Sequence, residues 1–184
     1  MRKSISFLTI LFLSIGFFFS GAGLVYAAPG AVSLFDPIQF PSSSKSISGV
    51  RANFIYGNHR DLTGIDFGLV ANQLQGDLKG VQFGLYNGVR GNAGGVQLGA
   101  LNHIGRDAVA YQFGAINFVD RHNRGAQLGV YNQALSIKGV QFGVINVARS
   151  LDGVQIGALN FNFTSRSSFP TTGPAFLPVF NWSF

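Results

Sequence analysis

The sequence predicts an all-β fold assembled from copies of one short unit, and three observations carry that prediction. The segments 80–87, 95–102, 110–117, 125–132, 139–146 and 153–160 share the pattern G-x-Q-Φ-G-x-Φ-N, with Φ a large apolar residue and Ala110 opening one copy. Within a copy the side chains alternate with a period of two. Val81, Phe83 and Leu85 share one face, and Gln82, Gly84 and Tyr86 the other, which is strand spacing. The 184 residues include 25 glycines, about twice the usual share, which disfavours helices.

In chain order, residues 1–27 have the layout of a secretory signal peptide. Arg2 and Lys3 precede an almost wholly apolar run from Ile5 to Phe19, and Val25 and Ala27 place small residues before a cut after Ala27. The alternative is a membrane-anchoring helix, since Ile5 to Ala28 is long enough to span. Either reading takes the rest of the chain out of the cytoplasm. Loss of Arg2 and Lys3 would leave eleven cations against seven aspartates, a net charge near +4. The arginines are scattered between apolar segments, with no basic stripe to suggest nucleic acid.

Residues 28–48 read as an N-terminal strand and polar link: Ala31 to Phe40, interrupted by Pro37, then a serine-rich run ending at Ser46. The repeat region is 49–162 and holds eight copies, two of them degraded. Gly49–Tyr56 carries Arg51 where the others carry Gln, and Gly64–Asn72 carries Asp66 there and one extra residue before Asn. Repeat starts fall 14 to 16 residues apart. Connectors such as Arg90–Gly94 and Asp120–Arg124 have hairpin length and turn composition. Residues 163–184, part of the same domain, read as a loop and a C-terminal strand on which Phe180, Trp182 and Phe184 alternate onto one face.

Two architectures fit these elements. Strands of nine or ten residues joined by short turns make an antiparallel up-and-down barrel of about ten strands, with Val, Phe and Leu toward lipid and Gln and Gly toward the lumen. This is the main expectation. The terminal aromatic strand also resembles the assembly signal of bacterial outer-membrane barrels, which implies outer-membrane lipid and the barrel-assembly machinery as partners. The alternative is a parallel β-solenoid of about 15 residues per coil. It gives a reason to keep Gln82, Gln97, Gln112, Gln127, Gln141 and Gln155, and Asn87, Asn102, Asn117, Asn132, Asn146 and Asn160. Stacked in register, each column becomes an amide ladder. Its Gln/Asn face could then hold a ligand or host partner. Arg51 and Asp66, one repeat apart in the Gln slot, are expected to pair if that slot is buried.

The GVQ-Φ-G-x-Φ-N copies, the preceding Gly49–Gly57 and the Pro178–Phe184 ending together resemble a family of bacterial surface-repeat proteins. The resemblance covers most of 31–184. It implies an exported outer-membrane or cell-surface location and a structural or interaction role, and it carries over no functional residue.

Chemistry-bearing constellations are missing. There is no Cys and no Glu, and His59, His103 and His122 fall in different repeats without metal-ligand spacing. No G-x-S-x-G elbow occurs. Gly88–Gly94 lacks the Lys-Ser/Thr pair of a phosphate loop. The expectation is a protein with no catalytic residues, metal or cofactor.

Overall fold

The computed structural model describes residues 27–163 and 175–183. The expected signal peptide, the loop over 164–174 and Phe184 lie outside the described residues. The described chain is all β: β1 (Ala28–Phe35), β2 (Ile38–Phe40), β3 (Ile47–Asn53), β4 (Tyr56–His59), β5 (Leu62–Gly68), β6 (Ala71–Leu74), β7 (Leu78–Phe83), β8 (Tyr86–Val89), β9 (Ala93–Leu98), β10 (Leu101–Ile104), β11 (Ala108–Phe113), β12 (Ile116–Asn162) and β13 (Ala175–Ser183).

These strands wind a parallel β-solenoid of about seven turns, near 15 residues each. The antiparallel barrel is thereby corrected. β3, β5, β7, β9 and β11 stack in parallel register as one long wall, and β4, β6, β8 and β10 as a shorter second wall. Both walls run on into β12. Like sits on like: Gly64 pairs Gly80, Gly80 pairs Gly95, and Gln82 pairs Gln97. Antiparallel neighbours would have set each Gln opposite a different residue type, so an amide column needs parallel strands.

Each repeat is therefore not one straight strand. It turns a corner at Gly84-Leu85 and its equivalents, which divides it between the two walls. The polar connectors are the opposite edge of the coil, not hairpins. The shorter coils tolerate their lost residue there: seven residues lie between Asn117 and Gly125, and six between Asn132 and Gly139. The segment 120–124 stays in strand conformation as part of that edge, with Asp120, Arg121 and His122 exposed.

The stack is closed at both ends. β2 folds back antiparallel on β1. Gln39 then completes the free edge of β4 with its side chain, its Nε2 donating to the Asn58 carbonyl at 2.8 Å and its Oε1 accepting from the Asn58 amide at 3.2 Å. At the other end β13 pairs antiparallel with β12. Capping of this kind keeps a solenoid from stacking end to end.

The interior is narrow. One apolar column runs through Ile47, Leu62, Leu78, Ala93, Ala108, Ile137 and Leu151, and a facing one through Leu74, Val89, Ile104, Val119, Ala134 and Ala148, all buried. Asn123 interrupts the first column between Ala108 and Ile137. It is 1% exposed, and neither its Oδ1 nor its Nδ2 has a hydrogen-bond partner. An unpaired buried amide costs about 1–3 kcal/mol. Asn123→Ala, matching the neighbouring Ala108, is expected to raise the unfolding free energy by about 1–2 kcal/mol, read as a higher urea midpoint at unchanged slope.

Candidate interaction surface

Between the apolar columns lie the two amide ladders. Gln82, Gln97, Gln112, Gln127, Gln141 and Gln155 are all 0% exposed. From Gln97 onward each Nε2 donates to the Oε1 of the Gln one coil earlier, at 2.7–2.9 Å. The second proton reaches across to a carbonyl of the shorter wall, as from Gln112 to Phe118. Asn87, Asn102, Asn117, Asn132, Asn146 and Asn160 are equally buried, but their ladder runs the other way. From Asn87 to Asn146 each Nδ2 donates forward to the next Oδ1, at 2.8–2.9 Å, and also to a carbonyl at the next corner. None of these twelve amides leaves a buried nitrogen or oxygen without a partner, as buried polar groups require. They lie inside the coil, so the Gln/Asn face is not the binding face the solenoid alternative expected.

A one-way ladder needs special residues at its ends. At the N-terminal end Gln82 donates to Asp66 Oδ2 at 3.0 Å. The carboxylate, which only accepts, is clamped by Arg51 through Nε at 2.8 Å and Nη2 at 2.5 Å, and takes a further bond from Asn53 Nδ2 at 2.8 Å. Arg51 and Asp66 are both fully buried. At the C-terminal end Asn181 Nδ2 donates to Gln155 Oε1 at 2.9 Å. The Asn ladder begins with an exchange of residues. In the first coil Asn53 occupies the slot held elsewhere by the second Gly of the repeat. Gly57 occupies the slot of the ladder Asn. Asn53 reaches into the space that Gly57 leaves empty and donates to Asn72 Oδ1.

His59 ends the second apolar column and is also fully buried. Its Nδ1 sits 3.2 Å from the Arg51 guanidinium, which only donates, so Nδ1 accepts and the ring proton lies on Nε2, donating to the Pro41 carbonyl at 3.0 Å. Burial, and then the Arg51 charge, push its pKa down to about 4, against weaker opposing pulls from the Pro41 carbonyl, Asp66 and Asp36. The fold thus favours neutral His59. This contribution is complete above the ordinary pKa near 6.5 and is lost as pH falls toward 4. It amounts to at most about 3 kcal/mol. Wild type is expected to lose urea resistance over that window, and His59→Leu to lose measurably less of it.

The outer surface is apolar. On the long wall Val50, Ile65 and Val140 form one exposed column, and Phe67, Phe83, Phe113 and Phe142 a second. The rings of Phe67 and Phe83 stack at 5.1 Å. The corner adds Phe54, Ile55, Leu69, Val70, Leu85, Val130 and Val144, and the first position of the shorter wall adds Leu159. Phe180 pairs with Ile156 and Trp182 with Val154, so these two predicted aromatics extend the long-wall columns by one rung. Both are exposed, and their rings lie 5.1 Å apart. With the barrel gone, the premise for an assembly signal in this strand goes too.

The opposite edge carries the charge. There Asp77 accepts from the Asn92 amide at 2.7 Å, and Asp107 from the His122 amide at 3.3 Å, each bond joining one coil to the next. Burial alone would raise the Asp61 carboxyl, but the Asp77 amide, the Ser46 hydroxyl and Arg60 together hold it below the ordinary value. A shallow open depression of about 460 Å³ runs past Lys79, Gly94 and Arg124. His103 lies 3.0 Å from Asp120 on the outside of the shorter wall, and His122 sits on the polar edge. Among the described residues no three His, Cys, Asp or Glu side chains gather as a metal-binding set.

Position within the repeat was the signal available for Arg51 and Asp66. Asn53, His59 and Asn181 stand outside the pattern and gain their roles only from the register. A scan against protein-family models and searches of curated proteins and of solved structures find no match to this chain.

Proposed function

We propose that the chain is an exported interaction protein of a bacterial envelope or cell surface, working through its outer apolar face and not by catalysis. One observation carries the reading: the solenoid places its polar amides inside and its Val, Phe and Leu columns outside. Soluble monomers rarely leave contiguous apolar patches beyond a few hundred Å² uncovered. The signal-peptide layout of residues 1–27 supports export, and the resemblance to surface-repeat proteins supports the location.

The test is fractionation of cells producing the full chain, beside the variant Phe67→Ser/Phe83→Ser/Phe142→Ser. These rings face outward and leave the ladders untouched. Wild type is expected in the envelope fraction, and the variant mainly in the soluble exported fraction with its circular dichroism retained. Equal distribution of the two chains would refute the outer face as the working surface.

A further inference from the structure

Resting on that reading, we propose that the partner of the outer face is a lipid surface with anionic headgroups, on which the solenoid lies along its Gly-Φ corner. The shape of the apolar region selects this partner. Phe83 faces out from the long wall, Leu85 from the corner, and Leu159 from the shorter wall. One apolar band thus turns through three directions on a convex edge. A second copy or another folded protein presents one surface and covers one of these directions. Acyl chains conform to all of them, as they do around an amphipathic helix at an interface.

Charge agrees with the shape. Lys79, Arg124 and Lys138 project from the long wall on the side of the apolar columns away from the corner. Arg60, Arg90 and Arg149 stand at the far end of the shorter wall, where the coil turns to its polar edge. The carboxylates beside these rows are Asp61, 2.9 Å from Arg60, Asp152, 2.9 Å from Lys138, and Asp120, 3.0 Å from His103. Asp77 and Asp107 are turned to the far edge, where each accepts an amide of the following coil. Cations therefore lie beyond the band on both walls. Tyr111 and Trp182, both more than half exposed, add amphipathic rings of the kind that settle at a lipid–water boundary.

The test is flotation of the full chain with vesicles of phosphatidylcholine, with and without phosphatidylglycerol. Variants are compared in the same N-terminal form as wild type, so any difference reads the wall and not residues 1–27. Wild type is expected on both vesicles and several-fold more strongly on the anionic ones. Phe67→Ser/Phe83→Ser/Phe142→Ser is expected to weaken partitioning on both by roughly tenfold or more. Lys79→Gln/Arg124→Gln/Lys138→Gln is expected to abolish most of the anionic preference, again roughly tenfold, and to flatten its salt dependence. Wild type that floats with neither vesicle overturns the lipid partner, as do variants that partition like wild type. If wild type ignores vesicles yet sediments as a dimer that the phenylalanine variant abolishes, the occupant is a second copy. The lipid proposal then fails while the outer face stands as the working surface. If the two chains also fractionate alike in cells, both readings fail.

Discussion

Asp66→Asn is expected to destabilise the protein by about 3–5 kcal/mol, the cost of breaking a fully buried ion pair from one side. The carboxylate accepts from Arg51, Asn53 and Gln82 together. An amide in its place turns donors toward donors and leaves the Arg51 guanidinium, 0% exposed, without a counter-ion. The double variant Arg51→Gln/Asp66→Gln is expected to recover most of the loss. Gln82 can then donate to the amide that replaces Asp66, as Gln97 donates to Gln82. The amide that replaces Arg51 can take over the bond that Arg51 makes to the Gln73 carbonyl. Coils of a solenoid couple only to their neighbours, so the single variant should lose amide-exchange protection first over residues 47–74. A double variant as damaged as the single one, or Asp66→Asn within about 1 kcal/mol of wild type, would contradict this account of the ladder's end.

Gly95→Ala is expected to cost about 4 kcal/mol, and at the same time Ala110→Gly about 1 kcal/mol or less. The two residues fill the same slot of successive repeats. Gly95 has φ +136°, a region closed to other residues, and a Cβ there would overlap the Gly80 carbonyl oxygen one coil below. Backbone strain of this kind costs about 1–3 kcal/mol, and overpacking a similar amount. Neither neighbour can yield, because both belong to the stacked wall. At Ala110 the backbone is not left-handed, and the methyl group is buried inside the coil. Removing it loses only a small contact and some chain stiffness. Paired denaturation curves decide the matter: equal losses at the two positions would show that the space at Gly95 is not what holds the glycine there.

Much of this fold was legible in the sequence, but its topology was not. The repeat, the period of two and the value of stacked Gln and Asn could all be read from the residues. The barrel reading failed at Gly84-Leu85, where alternation runs on through what is a corner. Two fixed amides at opposite parity, Gln82 and Asn87, lie five residues apart and both point inside. A straight strand cannot do that, so this spacing was the available sign of a bend. The outward phenylalanines read the same in either architecture, because lipid-facing and outward-facing positions share one parity. The end residues were hidden for a different reason. His59, Asn53 and Asn181 interact across coils, and the degraded first repeats blur the register that would reveal them.

The inverted interior has a thermal consequence. Heat capacity rises on unfolding mainly because apolar groups become hydrated, while polar groups lower it. Here many of the large apolar side chains are hydrated already in the folded chain, and unfolding releases stacked amides. The protein should therefore absorb less heat per degree than an ordinary domain of its length. Its resistance to unfolding should change only gently between cold and warm conditions, and occupation of the apolar columns by a partner would steepen that curve.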